Sequence, residues 1–573
     1  MKRIVIIFLT AFLLSGSSYA QPDTAQKKKD STGEDTVFSG EVMVVGPHDP
    51  RIADAFKIRG NPQMESIDVK KEPVEYDIQS IRLPVSFELD PIRPARMKGD
   101  PLDKLYNNHM RIAMGTSTMP YLEYFYNTTR SRDHAFGIHL KHFSASGKID
   151  KHPFPGFSDN LAELYYKKFF KNHKLTSEAK YERNVVHSYG IPREIYDTLN
   201  KDIERKDIRL MYHRISANAN FKSDYPAFDK DKLHHEFNLS AYHFSDNKNT
   251  AELSTELSGN IHKQIKLLPS ADEQVLGLKF RGNYMNNTRD TLQETNTGLV
   301  RITPYLNNSL NNVTLNVGIN TYIESDSISS RVEFYPDLHL RMELINNIFV
   351  LKGGLTGKTS QDQIHRLTKE NPFMYTASAL RFRHKSSVIY AGLNASISKN
   401  INFSTHFQSS KTGNEPFFLR DTTTELANRF NVVYDTVRTI YIRAELEYQW
   451  QDNLEISLGG KYTEFSETRL SHPWNRPQVE GYLKGRYNLQ EKIIFNAELF
   501  FVGSRKALGL KDDHFQAREL DPFIDANLSV EYRYNKLLSG FLKFHNIGAK
   551  KYEKWSDYPS YGFQFMAGLT YSM

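Results

Sequence analysis

The last stretch of the chain separates its side chains onto two unlike faces. Between Tyr561 and Met573, apolar or aromatic residues alternate with small or polar ones. Because successive side chains of a β-strand point to opposite faces, one face of this strand would be apolar and the other mostly polar. Such a strand suits a closed barrel in a lipid bilayer, whose outside meets hydrocarbon and whose inside meets water. The predicted lipid face of this terminal strand comprises Phe563, Phe565, Leu569, Tyr571 and Met573.

The same alternation recurs upstream along much of the chain. In 442–450 and 524–534, apolar or aromatic residues alternate regularly with polar or charged ones. A single alternating strand would also fit a soluble, secreted β-sandwich, which stays the alternative. The repetition, the N-terminal sequence and the aromatic residues at strand ends favour the membrane barrel. The expected interface aromatics are Tyr448, Trp450, Phe501, Tyr532, Tyr534, Phe563 and Tyr571.

Short polar links separate the predicted strands from about His109 onward, and longer links such as 360–377 and 412–427 alternate with them. Nine short links are evident, and a tenth is expected near Thr128–Asp133. If both ends of the barrel start from the periplasm, ten such turns require about 22 strands, within a range of about 18–22. The predicted fold class is therefore all-β: a membrane-spanning, antiparallel, up-and-down β-barrel with a short irregular N-terminal segment.

The N-terminal part divides into three segments before the barrel at 109–573. Residues 1–20 carry Lys2 and Arg3, an apolar run and then Ser18-Tyr19-Ala20, which is the pattern of a signal peptide. Residues 21–36 have almost no apolar content and are predicted to form a disordered periplasmic linker. Residues 37–108 are rich in proline, which argues for extended, irregular chain.

Composition narrows the class of protein. No apolar run approaches the roughly 20 residues of a transmembrane helix, but a barrel exposes only every second residue to lipid. The 36 phenylalanines and 32 tyrosines fit aromatic girdles. The 74 basic and 67 acidic residues are interspersed, which argues against a nucleic-acid partner. The absence of cysteine leaves neither a lipoprotein acylation site nor a disulfide framework.

The charged residues of the predicted strands fall on the polar face. On the lipid face a basic side chain near the bilayer midplane would cost about 2–4 kcal/mol, so these charges are expected in a hydrated lumen. They brace and hydrate the wall, or they line a solute path and set its selectivity. The lumen-lining candidates are Arg443, Glu445, Glu447, Glu455, Lys461, Glu480, Lys484, Arg486, Glu498, Asp525, Glu531 and Arg533.

No catalytic, cofactor-binding or metal-binding constellation stands out in the sequence. His139 and His142 would lie on opposite faces of a strand, so they cannot share one metal ion. The run His234-His235-Glu236 alternates faces in the same way. An enzyme is therefore not expected, although a hydrolase that gathers Ser, His and Asp from separate strands stays an alternative.

A further set of residues lies near the C-terminal end: Asn546-Ile547, Lys550-Lys551-Tyr552, Trp555, Tyr558-Pro559, Gly562 and Gly568–Ser572. Over about thirty residues, this set resembles the last two strands of TonB-dependent receptors, most closely those of the Bacteroidota. At the other end, Asp35, Thr36, Val37 and Phe38 resemble the segment that such receptors offer to TonB, and Glu41–Gly46 resembles the start of their plug domain. The proline-rich segment is short for a complete plug, so the resemblance implies a truncated one.

Two functions of different class follow from this interpretation. In the first, the protein is a solute-transport pore of the Gram-negative outer membrane, occluded or gated by its N-terminal segment and its loops, with the N-terminus in the periplasm. In the second, it is a non-transporting barrel subunit that binds lipoproteins or other barrels. Lipid is a partner in both cases, and the resemblance adds TonB. The sequence does not identify a substrate.

Overall fold

A computed structural model describes residues 75, 104–199, 202–225, 231–267, 269, 272–289 and 293–573. Twenty-two of its strands form one sheet in which each barrel strand pairs antiparallel with its neighbours along the chain. The sheet closes because β1 pairs with both β2 and β26; His109, for example, lies opposite Phe125 and Ser572. The predicted all-β, antiparallel, up-and-down barrel of 22 strands is therefore confirmed.

The strands of the barrel are β1 Asn108–Gly115, β2 Met119–Asn127, β3 His134–Ala145, β4 Phe157–Phe169, β5 His173–His187, β6 Arg209–Ser223, β7 His234–Asp246, β8 Ala251–Gln264, β9 Glu273–Arg289, β10 Gln293–Leu310, β11 Val313–Ser325, β12 Ser330–Ile345, β13 Phe349–Gln361, β14 Phe382–Ser398, β15 Ile401–Arg420, β16 Phe430–Trp450, β17 Leu454–Ser466, β18 Val479–Leu489, β19 Ile493–Val502, β22 Phe523–Arg533, β23 Leu538–His545 and β26 Gln564–Ser572. Two small hairpins, β20 Arg505–Lys511 with β21 His514–Leu520 and β24 Glu553–Trp555 with β25 Tyr558–Pro559, lie outside the barrel sheet. The helices described are α1 Arg193–Thr198, α2 Arg205–Ile208 and α3 Ile364–Glu370. No helix in the described ranges has both the length and the apolar character needed to cross a membrane.

The two ends of the barrel differ in their connections. The end at which β1 begins and β26 finishes, called here the turn end, carries ten links: 128–133, 170–172, 224–233, 265–272, 311–312, 346–348, 399–400, 451–453, 490–492 and 534–537. Asparagine serves several of the tightest ones; Asn311 and Asn347 adopt φ values of 50° and 58°, a left-handed conformation that asparagine tolerates. The opposite end, called the loop end, carries the links of about twenty residues, including 188–208, 362–381, 503–522 and 546–563.

The alternation seen in the sequence persists in the exposure of the side chains. On β26, Leu569 and Tyr571 are 51% and 40% exposed, whereas Met566 and Thr570 are 4% and 5% exposed. Phe563 and Met573 are exposed as well, while Phe565 is half-buried, with its ring 5.3 Å from that of Phe544. The face that bears the exposed residues is called the outer face and its opposite the inner face. That lipid covers the outer face stays a prediction.

The predicted domain boundaries are accessible only in part. The signal peptide at 1–20, the linker at 21–36 and nearly all of 37–108 lie outside the described residues. The same holds for the predicted TonB-contact residues Asp35, Thr36, Val37 and Phe38. The first described barrel strand begins at Asn108, one residue before the predicted start of the barrel.

Candidate functional site: a capped polar interior

The inner face carries all twelve residues that were proposed to line the lumen. Strand register places them together: Arg443 lies opposite Lys461, which lies opposite Glu480, and Lys484 lies opposite Glu498. Asp525, Glu531 and Arg533 are separated by even numbers of positions along β22, so they share one face of that strand. Asp525 lies opposite Phe500 of β19, and Glu531 lies opposite Ile494. The structure thus assembles these charges on one surface. Whether solutes travel along it stays a prediction.

Several of these charges pair locally. Arg443 contacts Glu445 at 2.9 Å and Lys461 contacts Glu480 at 3.0 Å. Glu531 accepts a hydrogen bond of 2.9 Å from the Ser539 hydroxyl. A partly exposed ion pair of this kind typically contributes only about 0–1 kcal/mol to folding stability. These charges therefore keep the inner face hydrated more than they hold the barrel together.

A cavity of about 680 Å³, called here the wall cavity, lies against the inner face of β14–β18. Lys385, Arg443 and Lys461 contribute basic side chains to it, and Arg383 and Arg476 enter from its loop-end side. Glu415 approaches Arg383 at 3.6 Å and Arg476 at 3.9 Å. Hydroxyl and amide groups also line it, beside a few apolar side chains: Gln408, Ser410, Thr412, Thr439, Tyr441 and Thr463. The interior is therefore polar, mixed in charge and rich in hydrogen-bonding groups.

Loops close over this interior at the loop end. The segments 188–199, 362–381, 421–429 and 546–563, called together the cap, contact one another. The Asn428 side chain donates to the Ser188 carbonyl at 2.5 Å, and the Tyr558 hydroxyl donates to the Asn428 carbonyl. Ser188 follows β5 and Asn428 precedes β16, and these strands are eleven positions apart in a ring of 22. Contacts between opposite walls therefore bridge the opening of the barrel.

An apolar cluster lies at the centre of the cap. Its buried members are Leu367, Met374, Phe418, Phe430, Trp555 and Tyr558. The Trp555 ring packs edge-on against Phe418 at 5.3 Å, and Phe373 stacks on Tyr558 at 3.9 Å. Burying a large aromatic side chain contributes about 3–5 kcal/mol by comparison with its truncation to alanine. Phe418 and Phe430 belong to the loop ends of β15 and β16, so the cluster packs the loops against the barrel wall.

Arg420 is the polar centre of the cap. Its guanidinium is 1% exposed and donates to the carbonyls of Gly190, Ala427 and Ser556, while it contacts the Asp557 carboxylate at 2.8 Å. The three carbonyls belong to three different cap segments. One side chain at the end of β15 thereby ties these segments together, and the ion pair with Asp557 compensates the buried charge.

The loop 362–381 crosses from β13 and β14 to the wall formed by β5–β8. Glu252 of β8, which is fully buried, accepts hydrogen bonds from the backbone N–H of Ile364 at 2.7 Å and from the Tyr242 hydroxyl at 2.8 Å. Tyr212 of β6 donates to the Pro372 carbonyl at 2.6 Å. These inner-face contacts fix the loop across the interior rather than above it.

Burial shifts the pKa values of two titratable groups in this loop. Burial raises the pKa of Asp362 to about 6, although Arg383, at 2.7 Å, acts in the opposite direction. Burial, together with the charges of Arg214 and Lys369, lowers the pKa of His365 to about 3. His365 is therefore neutral at neutral pH, packed near the rings of Tyr242 and Phe244 at 5.6 and 6.1 Å.

Sequence reasoning expected loops to occlude the barrel, but it did not identify the contacts that join them into a cap. Phe373, Tyr375, Phe417, Phe418 and Trp474 are aromatic residues that the sequence offers either as ligand contacts or as loop packing. Phe417, Phe418 and Trp474 prove to be buried, as packing requires. The family-like residues Asn546–Gly562 lie between β23 and β26 rather than in the last two strands, and Trp555 and Tyr558 among them anchor the cap. Two large aromatic residues three positions apart in a mostly polar link, Trp555 and Tyr558, were the signal that the sequence offered.

Several solved structures have a fold similar to that of this chain. The chain shares the barrel fold of siderophore receptors. The ferripyoverdine receptor of the outer membrane of Pseudomonas aeruginosa matches with a TM-score of 0.60 and 12% identity, over 82% of this chain and 72% of that chain. The siderophore receptor PirA from Acinetobacter baumannii matches with a TM-score of 0.61 and 10% identity, over 82% and 81% of the two chains. The ferric-catecholate import receptor Fiu from E. coli, in its closed form, matches with a TM-score of 0.59 and 10% identity, over 82% of each chain.

These matches concern the fold, since the identities are low. No protein-family model and no curated protein sequence matches the chain. The matched structures are named as receptors and not as enzymes. Within the described ranges, no group of three or more His, Asp or Glu side chains is placed to hold a metal ion.

Proposed function

We propose that this chain is an outer-membrane solute-transport pore of the TonB-dependent receptor type, closed at its loop end by the cap. The observation that carries the proposal is the contact between opposite walls, from Asn428 to Ser188, above a polar interior. The barrel fold shared with outer-membrane receptors supports the location. The outer face would meet lipid, the turn end would face the periplasm, and the cap would face the outside.

The width of the barrel explains why closure matters. Twenty-two strands spaced about 4.8 Å apart and tilted by about 40° form a ring of roughly 40 Å in diameter. An opening of that width would pass most small solutes without selection. One apolar cluster and one buried arginine hold the cap against the ends of β15 and β16. Release of these contacts would undock the cap, which is the change that a gate requires.

The N-terminal segment is proposed as a second element of closure at the turn end. The resemblance to TonB-dependent receptors implies that residues 37–108 act as a truncated plug and that Asp35, Thr36, Val37 and Phe38 contact TonB. Transport would then require the plug to yield on one side and the cap on the other. Deletion of Asp35–Phe38 with unchanged solute uptake would remove energy coupling from the proposal.

Conductance of the purified full chain in planar bilayers tests the gate. The Arg420→Met variant should conduct more than the wild type, because the cap loses its polar centre. Adding the pair Ser188→Cys and Asn428→Cys to that variant should return conductance to the wild-type level under oxidation and release it under reduction. The chain has no native cysteine, so Ser188→Cys alone serves as the control that cannot form an internal bridge.

A variant that lacks residues 21–103 separates the two elements of closure. If Arg420→Met conducts more in this variant than in the full chain, the N-terminal segment also restricts the pore. If neither change, alone or combined, raises conductance or the swelling rate of proteoliposomes in sugar solutions, the barrel is no transport pore. The non-transporting subunit would then be the better account, and co-purification of another envelope protein would support it.

A further inference from the structure

A second cavity lies between the barrel wall and the underside of the cap. It has a volume of about 480 Å³ and sits beside the closing strand β26, so it is called here the seam cavity. Its polar lining includes Asp525 and Asn527 of β22, His545 and Asn546 at the end of β23, and Gln564 of β26, with His187 and Ser560 beside them. Tyr189 and Phe373 of the cap also contribute to its lining.

Neighbouring groups hold the polar side chains of this cavity in place. The Tyr552 hydroxyl donates to one Asp525 oxygen at 3.0 Å, and the Tyr552 ring stacks on Phe523 at 4.0 Å. The Asn546 amide nitrogen donates to the carbonyls of Lys550 at 2.8 Å and Tyr561 at 2.9 Å. Because these contacts use one side of each group, they fix the direction of the other side before any ligand arrives.

The remaining sides of three groups are buried without a hydrogen-bond partner in the part of the chain that the structure describes. They are Asp525 Oδ1, Asn546 Oδ1 and Gln564 Nε2. Asn546 is only 6% exposed, and its two donor positions are already used, so its free atom is an acceptor. A buried polar atom without a partner costs about 1–3 kcal/mol, which a suitable ligand would recover.

We propose that the seam cavity binds a neutral, hydroxyl-rich solute of one or two sugar rings. Two acceptors and one donor lining one cavity are matched by hydroxyl groups, each of which donates and accepts at once. The Asp525 carboxylate and the free Asn546 oxygen would repel an anion. Lys543, two residues before His545 on the same inner face, is opposite in sign to Asp525, so the charges on this part of the wall balance and leave no net charge for an ion to match.

Aromatic side chains supply the rest of the fit. Phe143, Phe157 and Tyr561 line the cavity together with Tyr189 and Phe373. The Phe143 and Phe157 rings meet edge to face at 5.2 Å, which holds them against rotation. Apolar walls with a few fixed polar groups are the common composition of small-molecule sites, and the volume lies within their usual range. The C–H faces of a sugar ring match such walls, while its hydroxyl groups reach the polar side.

This inference deepens the proposed transport function, since the cavity lies on the inner side of the cap, but binding can be measured without transport. Isothermal titration calorimetry of the full chain in detergent would use glucose, maltose and myo-inositol as probes. Fully O-methylated glucose, which keeps the ring and lacks the O–H donors, is the matched ligand control. A short neutral peptide tests the competing ligand class. Repeating the titrations with Arg420→Met allows for slow entry beneath a docked cap.

Gln564→Met is the decisive variant, because the Nε2 atom that it removes has no partner within the described residues. It should weaken sugar binding at least tenfold while the barrel folds normally. Gln449→Met, on the inner face of β16 and outside the cavity lining, should change binding less than twofold. Asp525→Asn provides a second test, since it keeps an oxygen and replaces the other by a donor; it should also weaken binding.

The outcomes separate the two proposals. Sugar binding that depends on Gln564, without any conductance on cap opening, would keep the site and overturn transport. Conductance without millimolar binding of any of the three probes would keep the pore and overturn the site. Equal binding of O-methylated glucose, preferred binding of the peptide, or equal affinity in Gln564→Met would each overturn the inference.

Discussion

Replacing Arg420 by methionine removes the side chain that ties three cap segments together. Methionine keeps most of the buried volume, so the change mainly deletes the guanidinium. Three backbone carbonyls lose their donor and Asp557 loses its partner at 2.8 Å, although Arg518 stays within 3.2 Å of that carboxylate. Breaking a buried ion pair from one side costs about 3–5 kcal/mol. Because these contacts join cap segments, the cost should fall on docking of the cap rather than on the barrel.

Hydrogen exchange measures that cost where it arises. The backbone N–H of Tyr375 donates to the Phe430 carbonyl at 2.8 Å, and the N–H of Phe430 donates to the Phe373 carbonyl at 3.1 Å. A loss of 3–5 kcal/mol should accelerate exchange at these two amides by about a hundredfold to a few thousandfold. Amides in the middle of the barrel strands should exchange as in the wild type.

Arg438→Met is the matched control, since Arg438 is half-exposed and paired with Glu467 at 3.1 Å. An exposed pair of this kind contributes about 0–1 kcal/mol, so exchange in the cap should change by less than about fivefold. If Arg420→Met leaves the exchange of Tyr375 and Phe430 unchanged, the arginine does not hold the cap. If barrel amides accelerate equally, the cap does not open as a unit.

Four further predictions concern other residues. Glu252→Leu should loosen loop 362–381 by about 1.5–3 kcal/mol, seen as faster tryptic cleavage at Arg366 and Lys369, whereas Glu256→Leu, four residues along the same strand, should not; equal cleavage in both would contradict the role of Glu252. Because His365 has its pKa lowered to about 3, docking of the loop should weaken as pH falls below 6.5, by about 2 kcal/mol at pH 5, an effect that His365→Gln should abolish in the same cleavage assay. Asp362, whose pKa is raised to about 6, acts in the opposite direction below pH 6, so Asp362→Asn should make the acid loosening larger; a smaller effect would show that the assignment is wrong. Leu569→Arg on the outer face should cost about 2–4 kcal/mol in urea titrations of the barrel in lipid vesicles, and Ser457→Arg on the inner face should cost much less; similar costs would contradict the assignment of the faces.

The barrel could be predicted from sequence because its rule is local. Each strand separates apolar from polar residues with a period of two, and each short link is marked by polar residues such as Asn346-Asn347 or Lys399-Asn400. Neither signal needs knowledge of which strand pairs with which. The inner-face grouping of Arg443, Lys461 and Glu480 follows from the same alternation.

The cap could not be predicted in this way, since its contacts join distant positions. Asn428 and its partner Ser188 are 240 residues apart, and Arg420 and Ser556 are 136 apart. Nothing in the local sequence distinguishes Arg420 from an exposed arginine at a strand end. Likewise, the free polar atoms of the seam cavity become visible only when the partners of Asn546 and Asp525 are known.

The junction between β1 and β26 bears on how the molecule is made. His109 bonds to Ser572, which lies 463 positions further along the chain, so the ring can close only after this whole stretch has been synthesised. Until then the edge of β1 has no lasting neighbour and can recruit a foreign strand. We expect that a chaperone or an assembly factor must shield this edge until β26 pairs with it.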